Sequence, residues 1–363
     1  MTLACAAFLT RRLGLGASRD DGRYERTDVP DFHKISKMLA TSVLSFGIAL
    51  TCLFVLVSAS VGRLALDRPN ERSLHEIPVP RTGGLAIILA VAVSLAIADS
   101  REQVPLLIIL ALAAVSFGDD LFNLPTTLRF GVHVAAAAGF LALVVPGASP
   151  IKFLLLLLGV VWFTNLFNFM DGCDGLAGGM AVVGFGACAI AAYSQGVTGV
   201  AAVCIATASA ALAFLTFNFP PARIFMGDVG SIPLGFLAGG VGVVGWEAGA
   251  WPIWFPILVF SPFAVDATFT LCKRLLRGDK VWTAHREHYY QRLVLMGLGH
   301  RNTALAEYLL MAVCAGVALA VRDAQLSVQG ASLAALGGAY VILAVWIDGR
   351  WARYRLANQQ RQS

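Results

Sequence analysis

Three aspartates in this sequence stand where long apolar stretches end or begin. Asp119 and Asp120 form a pair in the segment FGDDLFNLP, and Asp228 lies between two glycines in the segment FMGDVGS. Carboxylates at the ends of membrane spans are costly to desolvate and usually mark a functional site. Their oxygens suit hard cations such as Mg²⁺, so these segments predict the binding of a metal ion or of metal-bound phosphates. At Asp228 the N–H groups of a helix start would add donors, and a simple N-cap is the alternative.

A third group of polar residues repeats at three-residue steps in the segment NLFNFMDGCDGLAGG. Asn165 and Asn168 come first, followed by Asp171 and Asp174. Glycines follow closely, and glycine lets the backbone approach a ligand. Amides and carboxylates grouped between two apolar spans fit a nucleotide or metal site better than a structural turn.

Two loops supply basic residues and histidines. The loop DRPNERSLHEIPVPRTGG is rich in proline, which disfavours a helix, and it contains Arg72, His75 and Arg81. In the segment HREHYYQR of the longest loop, His285 and His288 would share one face if the segment were helical. The neighbouring Arg286 favours an anionic ligand over a metal ion. These loops predict phosphate recognition, with ordinary basic membrane loops as the alternative.

The elements that position these residues are apolar segments long enough to span a membrane. Hydrophobic residues make up 58% of 363 positions, charged residues make up 13%, and the mean hydropathy is +0.73. Backbone polar groups in lipid must be satisfied internally, which favours an all-α polytopic helical bundle without a separate soluble domain. The net charge of +5 is too small to indicate nucleic acid. We expect eleven spans, or ten if two short neighbours merge, at 39–61, 84–99, 104–118, 131–147, 151–168, 176–193, 197–217, 231–246, 251–271, 303–321 and 331–348.

Lysine and arginine are distributed unequally between the two sides of this bundle. One set of loops and the C-terminal tail carry 17 of them, whereas the opposite loops carry 3, which places every motif loop in the cytoplasm. Residues 1–37 contain the remaining 7 and oppose this orientation. We therefore expect 1–37 to be a dispensable extension, disordered or upstream of a true start at Met38. A transmembrane domain over 38–349 and a basic cytoplasmic tail over 350–363 would follow.

Together, the motifs resemble those of the polyprenyl-phosphate N-acetylhexosamine-1-phosphate transferase family, which is of the glycosyltransferase family 4 type. Its relatives include the enzyme that makes lipid I of peptidoglycan and the transferases that start O-antigen synthesis. The similarity runs in order from residue 62 to residue 302, and the strings NxxNFMDGxDGLAGG and PAxxFMGDxGS are its most specific parts.

The resemblance implies a role for each motif. It places the catalytic Asp119 and Asp120 at the lipid-phosphate end and makes Asp228 a catalytic residue and the principal Mg²⁺ ligand. It implies that Asn168, Asp171, Asp174, His285 and His288 bind substrate, and Asn168 is also expected at the metal. Arg72, His75, Arg81 and Arg286 are expected to bind substrate because of their residue types and loops. Many relatives have a third acidic residue where this chain has Asn123, which receives no role. The segment HREHYYQRL lacks three consecutive histidines, which argues against a peptide-bearing UDP-muramic acid substrate and favours the O-antigen branch.

The expected reaction moves N-acetylhexosamine 1-phosphate from a UDP-sugar to undecaprenyl phosphate, with UMP as the leaving group. We expect it at the cytoplasmic face of a bacterial inner membrane, with Mg²⁺ or alternatively Mn²⁺ as cofactor. The exact sugar, the glycan pathway, a homodimer and a two-step route through an aspartyl phosphate stay open. The alternatives are an Mg²⁺-dependent intramembrane prenyltransferase, whose acidic residues would repeat at helical spacing, and a transporter, which only Asp266 inside the ninth span favours.

Overall fold

The computed structural model describes residues 32–58, 65–67, 78–97, 103–281, 283 and 285–362, and most of them are helical. Helices in the first half are α1 Phe32–Ser58, α2 Gly83–Ile97, α3 Gln103–Phe122, α4 Thr126–Val144, α5 Pro150–Met170 and α6 Leu176–Ser194. Those in the second half are α7 Thr198–Asn218, α8 Asp228–Glu247, α9 Trp254–Val259, α10 Ser261–Leu276, α11 Tyr289–Leu293, α12 Gly299–Val321 and α13 Leu326–Gln362. A π-helical turn, Val294–Leu298, joins α11 to α12.

Eight helical segments in the described part of the chain are long and apolar enough to cross a membrane. The predicted polytopic helical bundle is therefore confirmed. The apolar segment of α8 is 89% buried, whereas those of α1 and α13 are 22% and 17% buried. Helix α8 thus forms the centre of the bundle, and α1 and α13 lie at its periphery with side chains exposed for contact with lipid.

Several helix ends differ from the spans expected from hydropathy. Helix α1 begins before residue 38, and α13 continues without a break past residue 349. The ninth expected span consists of two helices, α9 and α10, because Pro262 lies in the first turn of α10 and supplies no backbone donor there. Helix α3 includes Asp119 and Asp120 in its last turn and ends at Phe122, and the next residue, Asn123, has a φ of 51°. Hydropathy locates the end of an apolar stretch, while backbone hydrogen bonding continues through the polar residues.

A two-stranded antiparallel hairpin braces the segment that leads into α8. It consists of β1 Leu66–Asp67 and β2 Val79–Pro80. The amide of Phe225 donates to the carbonyl of Pro80 at 2.7 Å. Gly227 has a φ of 71°, and a Cβ atom there would lie 2.3 Å from the carbonyl oxygen of Arg81. Glycine is required at this position by both its conformation and its surroundings, and it places Asp228 at the first residue of α8.

The ends of α3, α5 and α10 meet the starts of α4 and α8 at one face of the bundle. Every described site residue lies at this face. The opposite face carries a different ion pair, in which Lys152 Nζ lies 2.7 Å from Glu247 Oε1. The described motif segments therefore lie on one side of the bundle, as expected.

Candidate active site

Asp228 is at the centre of a cluster drawn from four helices. Asn168 on α5 donates through Nδ2 to Asp228 Oδ1 at 2.7 Å. Arg129 on α4 bridges two carboxylates, with Nη1 at 2.6 Å from Asp119 Oδ2 and at 3.3 Å from Asp228 Oδ2. The side chain of Asp119 is only 7% exposed and also accepts from the amide of Leu124. The cluster therefore combines two close carboxylates with one cation between them.

Asp120 has a different place from its neighbour. Its carboxylate accepts from the amide of Asp228 at 3.3 Å and from the amide of Val229 at 3.0 Å. The expectation of free N–H groups at the start of α8 is therefore wrong for these two amides. A carboxylate at a helix N-terminus satisfies donors that lack an intrahelical partner and interacts favourably with the helix dipole. Asp120 thus holds the start of α8 against the end of α3.

Asp171 and Asp174 lie in the turn between α5 and α6. Burial raises the pKa of Asp171 well above its usual value, and the nearby charges of Asp228 and Asp120 raise it further. Asp174 accepts from the amide of Ala222 at 2.9 Å and lies 3.2 Å from His300 Nδ1. Asp171 thus belongs to the charged cluster, whereas the contacts of Asp174 join the α5–α6 turn to the segment before α8.

Arg81 follows β2 and lies beside the cluster. Its Nη2 donates to Asp67 Oδ1 at 2.5 Å across the hairpin, so the side chain is oriented by β1. The other two residues expected to bind phosphate in this loop, Arg72 and His75, lie outside the described residues. Their predicted role stays a prediction.

The basic segment 285–292 is called the histidine arm below. Its two histidines were expected to share one face if the segment were helical, but the segment is not helical at either of them. Helix α11 begins only after His288. The rings of His285 and His288 nevertheless lie 4.9 Å apart between centroids. His288 is buried and stacks on Phe169, with a centroid distance of 6.3 Å. The two histidines therefore share one side of the arm through tertiary contacts.

Asp266 on α10 anchors the histidine arm. It accepts from the amides of Tyr289 and Tyr290 at 2.9 and 3.0 Å, and its Oδ1 lies 3.1 Å from His288 Nδ1. These contacts account for a carboxylate inside an apolar span. They weaken the transporter hypothesis, for which Asp266 was the supporting feature.

His285 should be neutral near pH 7. Burial lowers its pKa to about 4, aided by the charges of His288 and Arg274, and its Nδ1 accepts from the amide of Glu287 at 3.3 Å. It therefore offers a phosphate a hydrogen bond, and a bound anion would favour the protonated form.

This shift predicts a pH-dependent loss of stability. An unfolded chain protonates this histidine near pH 6.5, whereas the folded protein does so near pH 4. His285 therefore contributes no pH dependence above about pH 6.5, and stability should fall as the pH drops from about 6.5 towards 4. The unfolding temperature of the His285→Gln variant should fall less than that of the wild type between pH 7 and pH 5. Parallel curves for the two proteins would contradict the assignment.

A cavity of about 990 Å³ adjoins the cluster. Its polar wall includes Asp119, Arg129, Asn168, Asp228, His285 and His288. Its apolar wall includes Leu112, Val115, Leu158, Val161, Trp162 and Leu271. A ligand that carries phosphate at one end and hydrocarbon at the other matches this division.

Arg129 is the site residue that reasoning from the sequence did not assign. In the sequence it counts only as one of the basic residues that favour a cytoplasmic side for this loop. The turn from Asn123 to Pro125 is short, so α4 returns directly beside α3 and places Arg129 against Asp119. Its position ten residues after Asp119, across a short turn, was the feature of the sequence that could have indicated this contact.

The donor set fits a hard cation, although no three His, Cys, Asp or Glu side chains among the described residues form a preformed metal site. Mg²⁺ is commonly held by one or two carboxylates together with substrate phosphates, so a full protein cage is not required. Asp119 and Asp228 would supply the carboxylates. Asn168 presents its amide nitrogen to Asp228 and so orients that carboxylate.

Comparisons with known proteins show which family and which enzymes this sequence resembles. The family model described as glycosyl transferase family 4 matches residues 103–245. A Bacillus subtilis (strain 168) protein described as a probable undecaprenyl-phosphate N-acetylglucosaminyl 1-phosphate transferase is 28% identical over 74% of this chain and 81% of its own length. A Yersinia pestis undecaprenyl-phosphate alpha-N-acetylglucosaminyl 1-phosphate transferase is 26% identical over 71% of this chain and 77% of its own length. A Geobacillus kaustophilus (strain HTA426) phospho-N-acetylmuramoyl-pentapeptide-transferase is 35% identical over 46% and 60%, respectively.

The matched residues run from α3 to α8 and include the carboxylate cluster. The histidine arm lies beyond them. The family indicated by the sequence motifs is thus supported by the part of the chain that holds Asp119, Asn168 and Asp228, because residues 103–245 match glycosyl transferase family 4.

Proposed function

We propose that this protein transfers N-acetylhexosamine 1-phosphate from a UDP-sugar to a polyprenyl phosphate such as undecaprenyl phosphate, with UMP as the second product. The observation that carries the proposal is the junction of the Asp119, Arg129 and Asp228 cluster with an apolar cavity wall. A lipid phosphate needs such a junction, because its head group and its tail require opposite surroundings. The relatives named above support the reaction class.

In the proposed reaction, an oxygen of the lipid phosphate attacks the sugar-bearing phosphorus of the UDP-sugar. The bond from that phosphorus to the UMP oxygen breaks in line, and UMP leaves with the electron pair. Because the second pKa of a phosphate monoester is about 6, the attacking group is mostly ionised at neutral pH. A strong general base is therefore not required, and positioning with charge neutralisation should supply most of the rate.

The protein groups support direct transfer over a route through an aspartyl phosphate. Asp119 is engaged by Arg129 and by the amide of Leu124, and Asp120 is engaged by two amides of α8. Both carboxylates are held by these hydrogen bonds, which favours direct transfer over attack by either of them on the sugar phosphate. A bound Mg²⁺ would neutralise the diphosphate, while Arg129 and the neutral His285 orient phosphate oxygens.

The product distinguishes the proposed enzyme from an intramembrane prenyltransferase. Purified protein in detergent is incubated with undecaprenyl phosphate and UDP-N-acetylglucosamine labelled in the sugar. Label in the lipid phase with stoichiometric UMP supports the proposal, and a panel of other UDP-N-acetylhexosamines then identifies the preferred donor. In a parallel incubation with a prenyl diphosphate, release of pyrophosphate, together with no UMP in the first assay, would support the prenyltransferase instead.

We further propose that the site faces the cytoplasm of a bacterial inner membrane, as the excess of basic residues favours. This predicts opposite labelling of two cysteines, placed after Cys5 and Cys272 are replaced by serine. Thr127→Cys lies at the exposed start of α4, and Gly147→Cys lies at the other end of that helix, where a Cβ atom meets no neighbour. An impermeant maleimide applied to spheroplasts should label the second cysteine and not the first. The reverse pattern would overturn the orientation.

A further inference from the structure

The last helix contributes a carboxylate to the base of the histidine arm. Asp348 on α13 accepts from Arg292 Nη1 through Oδ1 at 2.7 Å. Its Oδ2 forms an ion pair with Lys273 on α10. One carboxylate thus joins the last helix to the arm and to the helix that carries Asp266.

Arg292 and Lys273 extend this contact to both neighbours of His288. Arg292 is buried and donates through Nε to the carbonyl of Glu287 at 2.6 Å. Lys273 Nζ donates to the hydroxyl of Tyr289 at 2.5 Å. The residues immediately before and after His288 are therefore held from the side of α13.

The inner side of the arm is held by Asp266, which binds the His288 ring and the next two amides. The arm is thus held between one carboxylate inside the bundle and a second on the last helix. Neutralising Asp348 would leave Lys273 and the buried Arg292 close together without their shared counter-charge. Like charges in this arrangement repel, and the carbonyl of Glu287 would lose its fixed donor.

Helix α13 is long enough for this role. Its 37 residues correspond to about 55 Å, whereas the hydrocarbon core is about 30 Å thick. The part that follows Asp348 therefore extends beyond the membrane beside the arm, where the Trp351 ring lies 5.9 Å from the Arg292 guanidinium.

We propose that Asp348 is a positioning residue that holds His285 and His288 against the cavity, which makes the C-terminal helix part of the active site. This inference rests on the proposed transfer reaction. Asp348 lies outside the cavity wall, so it acts through Arg292 and Lys273 without touching substrate. A small displacement of a group that orients substrate is enough to reduce turnover substantially.

The test compares Asp348→Asn with Asp348→Glu and with a matched control, Asp323→Asn. Asp323 also pairs with an arginine, but it is exposed and lies in the turn between α12 and α13. Asp348→Asn should lower kcat about 10-fold with a smaller change in KM. Asp348→Glu should recover at least part of the lost turnover, and Asp323→Asn should behave as wild type.

A double-mutant cycle shows whether Asp348 acts through the arm. In a His288→Asn background, Asp348→Asn should change kcat less than 2-fold, because the arm is already impaired. An additive loss of about 10-fold in both backgrounds would overturn the positioning role. Equal turnover of Asp348→Asn and wild type would overturn it as well.

Hydrogen exchange supplies a readout that does not depend on the proposed reaction. The Tyr289 and Tyr290 amides should exchange faster in Asp348→Asn and not in Asp323→Asn. Without the contacts of Asp348, only Asp266 would hold this part of the arm, and the arm should open more often. Unchanged exchange would contradict the inference. If the wild type transfers no sugar phosphate, the proposed function fails, and the exchange result still decides whether Asp348 orders the arm.

Discussion

Replacement of Asp228 by asparagine should reduce sugar-phosphate transfer by about 10²-fold or more. The substitution keeps the side-chain volume, and an asparagine oxygen can still accept from Asn168 Nδ2, which now lies 2.7 Å away. The negative charge, however, is lost at the point where two carboxylates and Arg129 meet. Loss of a carboxylate weakens a hard-cation site and removes electrostatic organisation that the transferred phosphate requires.

Initial rates of lipid-product formation measure the effect, and thermal unfolding in detergent monitors folding. Asp323→Asn is the control, because Asp323 pairs with Arg322 at an exposed position in the turn between α12 and α13. The control should retain wild-type turnover. Near-normal transfer by the Asp228→Asn variant, at equal expression, would refute both the cation assignment and the central place of Asp228.

Arg129→Met should also reduce transfer by about 10²-fold. The change leaves Asp119, whose side chain is only 7% exposed, and Asp228 close together without the cation that contacts both. Arg129 is one-third exposed, so the effect of losing it should lie between those of breaking a surface pair and a buried pair. The free energy of unfolding should decrease by about 1–3 kcal/mol. Activity and stability are both expected to fall.

A second substitution separates these two effects. Arg129→Met combined with Asp119→Asn removes the repulsion, so it should recover stability without recovering transfer. Arg223→Met is the control, since Arg223 lies on the same side of the bundle but packs on the ring of Phe217, 4.7 Å away. Recovery of full activity in the double variant would show that Arg129 only stabilises the fold.

Much of the site could be assigned from local sequence, because its residue types are unusual at the ends of apolar spans. Asp119, Asn168, Asp171 and Asp228 were all identified in this way, and the structure brings them together. Their positions on helices were harder to predict. Helices α3 and α5 continue past the expected span ends at residues 118 and 168, so Asp119 and Asn168 both lie within helices. A polar residue ends an apolar run without ending the backbone hydrogen bonding of a helix.

The sequence does not show which contacts some polar groups make within the protein. Asp120 was expected at the lipid phosphate, yet it binds the first two amides of α8. Asp174 was expected in the sugar-nucleotide site, yet its contacts are Ala222 and His300. Residue type shows which groups can bind an anion or cation. It does not show which of them a neighbouring helix end already engages.

The sequence by itself determined the membrane class, the helical architecture and the family, because apolar runs and long motifs are local properties of the chain. Only the tertiary structure decided how Arg129 joins two carboxylates, why Asp266 lies inside a span and how Asp348 contacts the histidine arm. These contacts link residues 10, 22 and 56 positions apart. Such pairs form only when helices pack, since a charge in an apolar environment requires a partner and the fold selects which one is within reach.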